Sequence, residues 1–252
     1  MTPPVTGPGF PAAGALLVPG GTPPPSPPGA PAAQVAVPAA TAPDKDDRLL
    51  PPPGAAAVFG RALDSAEAFA RILATHGVEQ GLIGPREVPR LWDRHLLNCA
   101  VVAELIGGQG GTLVDIGSGA GLPGLALAMV RPDLDVILLE PMERRCRFLS
   151  ECVTGLGLAN ASVRRGRAEE TTLRADVATA RAVAPLDRLA ELAMGVVRPG
   201  GMVLAIKGRT AAEELRKARP ILRRLGVRSA RVVRAGQGKV DPAATVVRFF
   251  AT

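Results

Sequence analysis

The sequence predicts an α/β fold: a doubly wound, mainly parallel sheet of seven strands with helices on both faces and a helical extension ahead of it. Three observations carry this. The stretch Leu113-Val114-Asp115-Ile116-Gly117-Ser118-Gly119-Ala120-Gly121-Leu122-Pro123-Gly124 is an apolar run that ends on a carboxylate, breaks into glycines and resumes as an apolar segment to Val130. That order reads as buried strand, tight turn and helix start. Short apolar runs then alternate with longer amphipathic segments, which implies parallel strands joined by crossover helices. Finally, the last two runs have no helical segment between them, so they are expected to form an antiparallel pair at the sheet edge.

Taken in order, residues 1–54 are rich in Pro, Ala and Gly and nearly uncharged, as in Pro23-Pro24-Pro25-Ser26-Pro27-Pro28. Such a stretch favours extended, solvated backbone, and a disordered tail is expected over 1–54. It lacks the basic start and unbroken apolar core of a secretory signal. Residues 55–110 read as a helical segment packed on the core. Within it, 55–77 places Phe59, Leu63, Ala66, Phe69 and Leu73 on one side and stops at Gly77, and 85–106 holds one or two further helices. Trp92, the only tryptophan, is expected to pack rather than stack on a base. Residues 111–252 form the main domain, with strands over 112–116, 135–139, 162–164, 177–180, 202–206, 227–234 and 245–250. Helices fall at 121–130, 142–155, 185–197 and 211–225.

The glycine spacing narrows the ligand. Gly117, Gly119 and Gly121 are spaced G-x-G-x-G, and the third glycine of a dinucleotide fingerprint would fall on Leu122. A phosphate-cradling G-x-x-x-x-G-K-[ST] is absent. Asp115 precedes the first glycine by two, and a carboxylate there suits a ligand with a cationic end, such as S-adenosylmethionine, better than a pyrophosphate. Glu140 closes the next apolar run, where it could accept hydrogen bonds from two ribose hydroxyls. Ligands of this fold class bind outside the carboxyl ends of the strands, which gathers Asp115, Glu140, Arg167-Ala168-Glu169-Glu170, Arg181 and Lys207 around one crevice. Ala168 and Glu169 could read adenine through a backbone N–H and an acid; the alternative is a solvated helix start. Arg181 and Lys207 end the fourth and fifth strands and call for anionic partners, either the donor carboxylate and RNA phosphate or a plain ion pair with a neighbouring acid. His95 on its own reads as a structural histidine.

The formal charge is +7, carried almost wholly by arginine, which favours an anionic macromolecule and points to nucleic acid. The arginine-rich faces at Arg144, Arg145 and Arg147, and at Arg216 to Arg224, read as solvated helix faces with some phosphate contacts. The three cysteines form no C-x-x-C and the two histidines no zinc spacing, so a reduced, metal-free protein is expected. No apolar run approaches membrane-spanning length.

Together, Arg94-His95, Asp115 to Gly124, Arg131-Pro132, Glu143-Arg144-Arg145-Cys146-Arg147-Phe148-Leu149, Ala180-Arg181-Ala182 and Lys207-Gly208 give a resemblance that runs in order over about 58–250. The chain resembles the bacterial small-subunit ribosomal RNA guanine-N7 methyltransferases (the RsmG family, also called glucose-inhibited division protein B). The resemblance implies the class I S-adenosylmethionine-dependent fold. It also implies methylation of N7 of guanine 527 in the 530 loop of 16S ribosomal RNA. By similarity, Gly117, Leu122, Ala168, Glu169 and Arg181 contact the donor, alongside Asp115, Gly119 and Glu140 from the spacing. Arg94, His95, Arg181 and Lys207 line the RNA side as positioning groups. Where the family often has Leu-Asp-Ser after Arg-His and one further residue, this chain has Leu97-Asn98-Cys99.

That chemistry suits the residues. Guanine N7 carries a free in-plane lone pair, so the enzyme needs to align two partners rather than remove a proton, and no general base stands out. A Pro-Cys nucleophile and an Asp/Asn-Pro-Pro-Tyr/Phe loop, the marks of other nucleobase methylations, are both absent. Two rival readings are a small-metabolite methyltransferase, disfavoured by the lack of a lid insert, and a non-enzymatic RNA-binding protein, disfavoured by the intact glycine loop. A cytoplasmic monomer acting on the small ribosomal subunit is expected, with no membrane partner.

Overall fold

The parallel part of the sheet forms where sequence and periodicity place it. In the computed structural model, which describes residues 49–108 and 110–252, the strands are β1 (Thr112–Ile116), β2 (Asp135–Glu140), β3 (Ala161–Arg165), β4 (Ala175–Arg181), β5 (Val197–Lys207), β6 (Ala230–Ala235) and β7 (Ala244–Phe250). They form one seven-stranded sheet in the order β3-β2-β1-β4-β5-β7-β6. β1 to β5 pair in parallel, and β7 runs antiparallel to both β5 and β6. The helix-less pair therefore lies at one end of the sheet, but the last strand inserts inside and β6 forms the edge.

Alternation along the strands sends side chains to two apolar layers. Leu113, Val177, Leu204, Ile206 and Val246 face one layer. Val114, Ile116, Ala178, Ala180, Val203, Ala205, Val247 and Phe249 face the other. The second layer is covered by α6 (Leu186–Val196) and α7 (Ala211–Arg224). The first is covered by α4 (Gly124–Val130), α5 (Glu143–Gly155) and the N-terminal helices, whose Phe69, Leu73 and Leu96 are fully buried in the same cluster as Leu125 and Leu127. Each such side chain contributes about 1.5–3 kcal/mol of burial. Residues 55–106 thus share one apolar layer with α4 and α5.

Several boundaries differ from the sequence reading; β5, for one, begins at Val197 and not at 202, and β6 at Ala230 and not at 227. The expected helix over 55–77 is broken into α1 (Ala55–Phe59), a 3₁₀ turn, α2 (Leu63–Ile72) and a π turn (Leu73–Gly77), because Gly60 adopts φ +52°. The segment 85–106 runs as a 3₁₀ helix (Pro85–Arg90), a π helix (Leu91–Leu97), α3 (Asn98–Ala100) and a second 3₁₀ helix (Val101–Leu105). The helix after β1 starts at Gly124 and not at 121, since Gly121 sits at φ +88°, in the left-handed region that helices exclude.

The tail expectation for 1–48 lies outside the described residues. Residues 49–54, assigned to that tail by composition, are instead fixed on the helical segment. The indole Nε1 of Trp92 donates to the Leu49 carbonyl at 2.9 Å, and the Trp92 ring packs edge-to-face on Phe59 at 6.1 Å. A chain beginning at Ala55 should be less stable than one beginning at Leu49 by about 1–3 kcal/mol, the cost of a buried donor without its acceptor. Urea denaturation of the two chains checks this.

Candidate active site

Because β1 to β5 are parallel, the loops that follow them emerge at the same end of the sheet, and the predicted site residues lie on or beside these loops. At the centre, Asp115 is fully buried and its Oδ2 accepts the backbone N–H of Gly124 at 2.9 Å. Its Oδ1 is buried with no hydrogen-bond partner. Gly124 must be glycine here, since a Cβ would sit 2.3 Å from Leu138 Cδ2 and 2.7 Å from Asp115 Oδ2. On the neighbouring strand, Glu140 is also buried; its Oε2 accepts the N–H of Gly119 at 3.0 Å and its Oε1 that of Met142 at 3.1 Å. Gly117, Gly119 and Gly121 all have positive φ, and the N–H groups of Gly117 and Ser118 both reach the Leu139 carbonyl. Two adjacent strand ends and the glycine loop are therefore one hydrogen-bonded unit.

Beside the ligand role expected of both acids, the geometry gives each a structural one. Asp115 and Glu140 each spend oxygens on loop N–H groups, so their first role in the fold is to shape the loop. A carboxylate has about four lone-pair sites, and the unpartnered Asp115 Oδ1 is the atom left over for a ligand. Leu122 is buried behind the loop, and Val183, a third exposed, lies against Gly117, whose added Cβ would come within 3.0 Å of Val183 Cγ2.

The second group forms around Arg181 at the end of β4. Its Nη2 donates to His95 Nδ1 at 2.9 Å and its Nη1 to Cys99 Sγ at 3.2 Å. Both acceptors come from the N-terminal segment. Arg94 is exposed and pairs with Glu87 at 3.3 Å. Among the described residues Arg181 pairs with no carboxylate, whereas Lys207 follows the ion-pair alternative. The Lys207 side chain is 8% exposed, bonds Glu214 at 2.8 Å and donates to the Ala184 carbonyl at 2.8 Å. It braces the loop after Arg181 and presents no free cation to solvent. After β3, Ala168 is buried, while Glu169 is exposed and ion-paired with Arg188. The sequence reading missed Glu87 and Glu214, which lie seven or eight positions from their partners but on separate elements, and it named Cys99 without a role.

With this geometry in place, relatives can be compared. The family model described as GidB, rRNA small subunit methyltransferase G, matches residues 62–241. A Thermobifida fusca protein named ribosomal RNA small subunit methyltransferase G is 55% identical, covering 82% of this chain and 87% of its own. Its namesake from Mycolicibacterium gilvum is 53% identical over 81% of this chain and 91% of its own. This chain belongs to that family. A solved S-adenosylmethionine-dependent methyltransferase from Aquifex aeolicus, 22% identical, superposes with a TM-score of 0.50 over 70% of this chain and 98% of its own, which places the fold.

Membership in the family sets S-adenosylmethionine as the cofactor, and the site's own features fit it. The glycine loop offers backbone free of Cβ atoms at three left-handed positions, and the Asp115 Oδ1 is a buried polar atom whose hydrogen-bonding capacity no protein group uses. Among the described residues no group of three or more His, Cys, Asp or Glu could hold a metal ion, and no helix is long and apolar enough to cross a membrane.

Burial pushes the Asp115 carboxyl up to about 7; the Gly124 hydrogen bond opposes the rise and the Glu140 charge adds to it. The fold thus prefers the neutral acid. A carboxyl raised this way contributes stability that is complete below its ordinary 3.8 and is lost as pH rises towards about 7. Asn at this position keeps an oxygen for Gly124 and cannot ionise. Asp115→Asn should therefore gain stability relative to the wild type as pH rises from 4 to 8, measured by thermal melts across that range. A difference that stays flat with pH would remove the titration from Asp115.

Proposed function

We propose that this chain methylates N7 of guanine 527 in 16S ribosomal RNA of the small ribosomal subunit, as a cytoplasmic monomer using S-adenosylmethionine. Methylation of small-subunit rRNA rests on the family itself. The choice of N7 rests on the family resemblance; the observation that supports a donor carboxylate or RNA phosphate at this site is Arg181, a guanidinium that pairs with no carboxylate among the described residues.

In this reading the bound donor supplies an electrophilic methyl group on a sulfonium. Gly117, Gly119 and Gly121 allow the backbone to approach it, Asp115 contributes its unpartnered oxygen, and Glu140 keeps the loop in place through Gly119. Ala168 and Glu169 border the far side. Arg181 holds an anion, either the donor carboxylate or an RNA phosphate, while Lys207 fixes the loop on which Ala182 and Val183 follow it. Arg94, exposed beside His95, faces the RNA. The attacking nitrogen has its own lone pair and needs no base; alignment in a water-poor site is what the protein adds.

Labelled methyl transfer onto small subunits from a strain lacking the gene, with mapping of the modified base, tests the proposal. Label on N7 of guanine 527 is expected; donor binding with no label on RNA would turn the assignment to a small-metabolite enzyme. In the same assay Arg181→Ala should lower transfer on the order of 10²-fold, the scale of misplaced reactants, with an unchanged circular dichroism spectrum. Gly117→Val, which strains a left-handed position and drives into Val183, should abolish donor binding by calorimetry.

A further inference from the structure

Arg181 is held by two uncharged groups. A guanidinium only donates, so the 2.9 Å contact from Nη2 requires a lone pair on His95 Nδ1. The ring hydrogen must then reside on Nε2, which lies 2.9 Å from Glu87 Oε2. Burial raises the Cys99 thiol above its ordinary pKa, so the other acceptor is neutral too. Glu87 belongs to the Pro85–Arg90 turn, and its second oxygen takes Arg94 at 3.3 Å. A chain of hydrogen bonds therefore runs from a surface carboxylate through a buried imidazole to the guanidinium at the end of β4.

We propose that Glu87 is a positioning residue: by accepting the Nε2 hydrogen it locks His95 in the tautomer whose Nδ1 lone pair fixes Arg181, and it does so without neutralising the guanidinium. A carboxylate placed directly on Arg181 would hold it as firmly but would consume the charge needed for an anion. A neutral ring between the two separates orientation from charge. Without Glu87 the hydrogen can move to Nδ1, where it meets Arg181 donor to donor. This rests on the reading of Arg181 as part of the site.

The charged groups facing His95 are Glu87, Arg94 and Arg181. Burial first, then Arg181, holds its pKa below the ordinary 6.5, while Glu87 pulls upwards and Arg94 adds to the lowering. The neutral ring persists above 6.5 and is lost as pH falls through a lower value, where both nitrogens would donate and the Arg181 contact would break. Replacing Glu87 by Gln keeps an acceptor and removes the charge, so the acid limb of activity should move to lower pH.

The chain has only two histidines, and His76 is exposed, so nitrogen-15 NMR of the histidine rings reads His95 directly with His76 as internal reference. In full-length protein at pH 7.5 we expect His95 neutral with its hydrogen on Nε2. Glu87→Gln should preserve this state and transfer within about twofold. Glu87→Leu should mix the tautomers and lower kcat/KM for methyl transfer on the order of 10-fold, the usual scale for an outer-shell partner, with His76 signals and melting intact. A His95 hydrogen on Nδ1 in the wild type, a Leu variant with unchanged tautomer and turnover, or a loss in Leu that Gln fails to rescue would each overturn the proposal. If the ring responds as expected in a protein that transfers no methyl to RNA, the relay stands and the substrate assignment falls.

Discussion

Two buried carboxylates on adjacent strands hold the backbone of the glycine loop, and the architecture of the site follows from that. Where β1 runs into α4 the chain must reverse within a few residues, and the first N–H groups of a helix have no partner inside it. Asp115 answers one of these at Gly124, and Glu140 reaches across from β2 to the N–H of Gly119. The parallel pairing of β1 with β2 brings the two acids to the same end of the sheet. The glycines are consequences of this closeness: a side chain at 124 would collide with Asp115 itself, and the loop's left-handed residues are the only ones that allow the turn.

The N-terminal helices complete the site and do more than cover a sheet face. Their apolar side packs in the same layer as α4 and α5, which gives the segment a fixed seat. From that seat His95 and Cys99 reach Arg181 at the end of β4. Here the cationic groups are sorted by their surroundings. Lys207 is paired with Glu214 and serves structure, whereas Arg181 is oriented by neutral acceptors and keeps its charge. For a reaction whose nucleophile needs no deprotonation, such placement of charge and shape is the main contribution a protein can make.

Much of this was legible in the residues. The short apolar runs marked the strands, the glycine spacing excluded a dinucleotide fingerprint, and the Arg-His, glycine-loop and Ala-Arg-Ala pieces pointed to the family. Helix boundaries were less so, because Gly60 and Gly121 adopt left-handed conformations that the apolar period alone does not announce. Composition also carried the tail too far, since six residues of Pro-rich character include the Leu49 carbonyl that satisfies Trp92.

By itself the sequence determined the strand-loop-helix unit, the crossover alternation and the positions at strand ends, because these depend on local periodicity and on backbone freedom near each residue. Only the tertiary structure decided what those positions do. Whether Lys207 is a free cation or a brace depends on Glu214 in the following helix. Whether Asp115 is an open carboxylate or a buried, partly neutral one depends on burial from every side. Glu87 joins Arg181 through contacts that cross 86 positions of chain. Hydrogen bonds and burial of that kind are set by which surfaces meet in three dimensions, and no spacing along the chain encodes them.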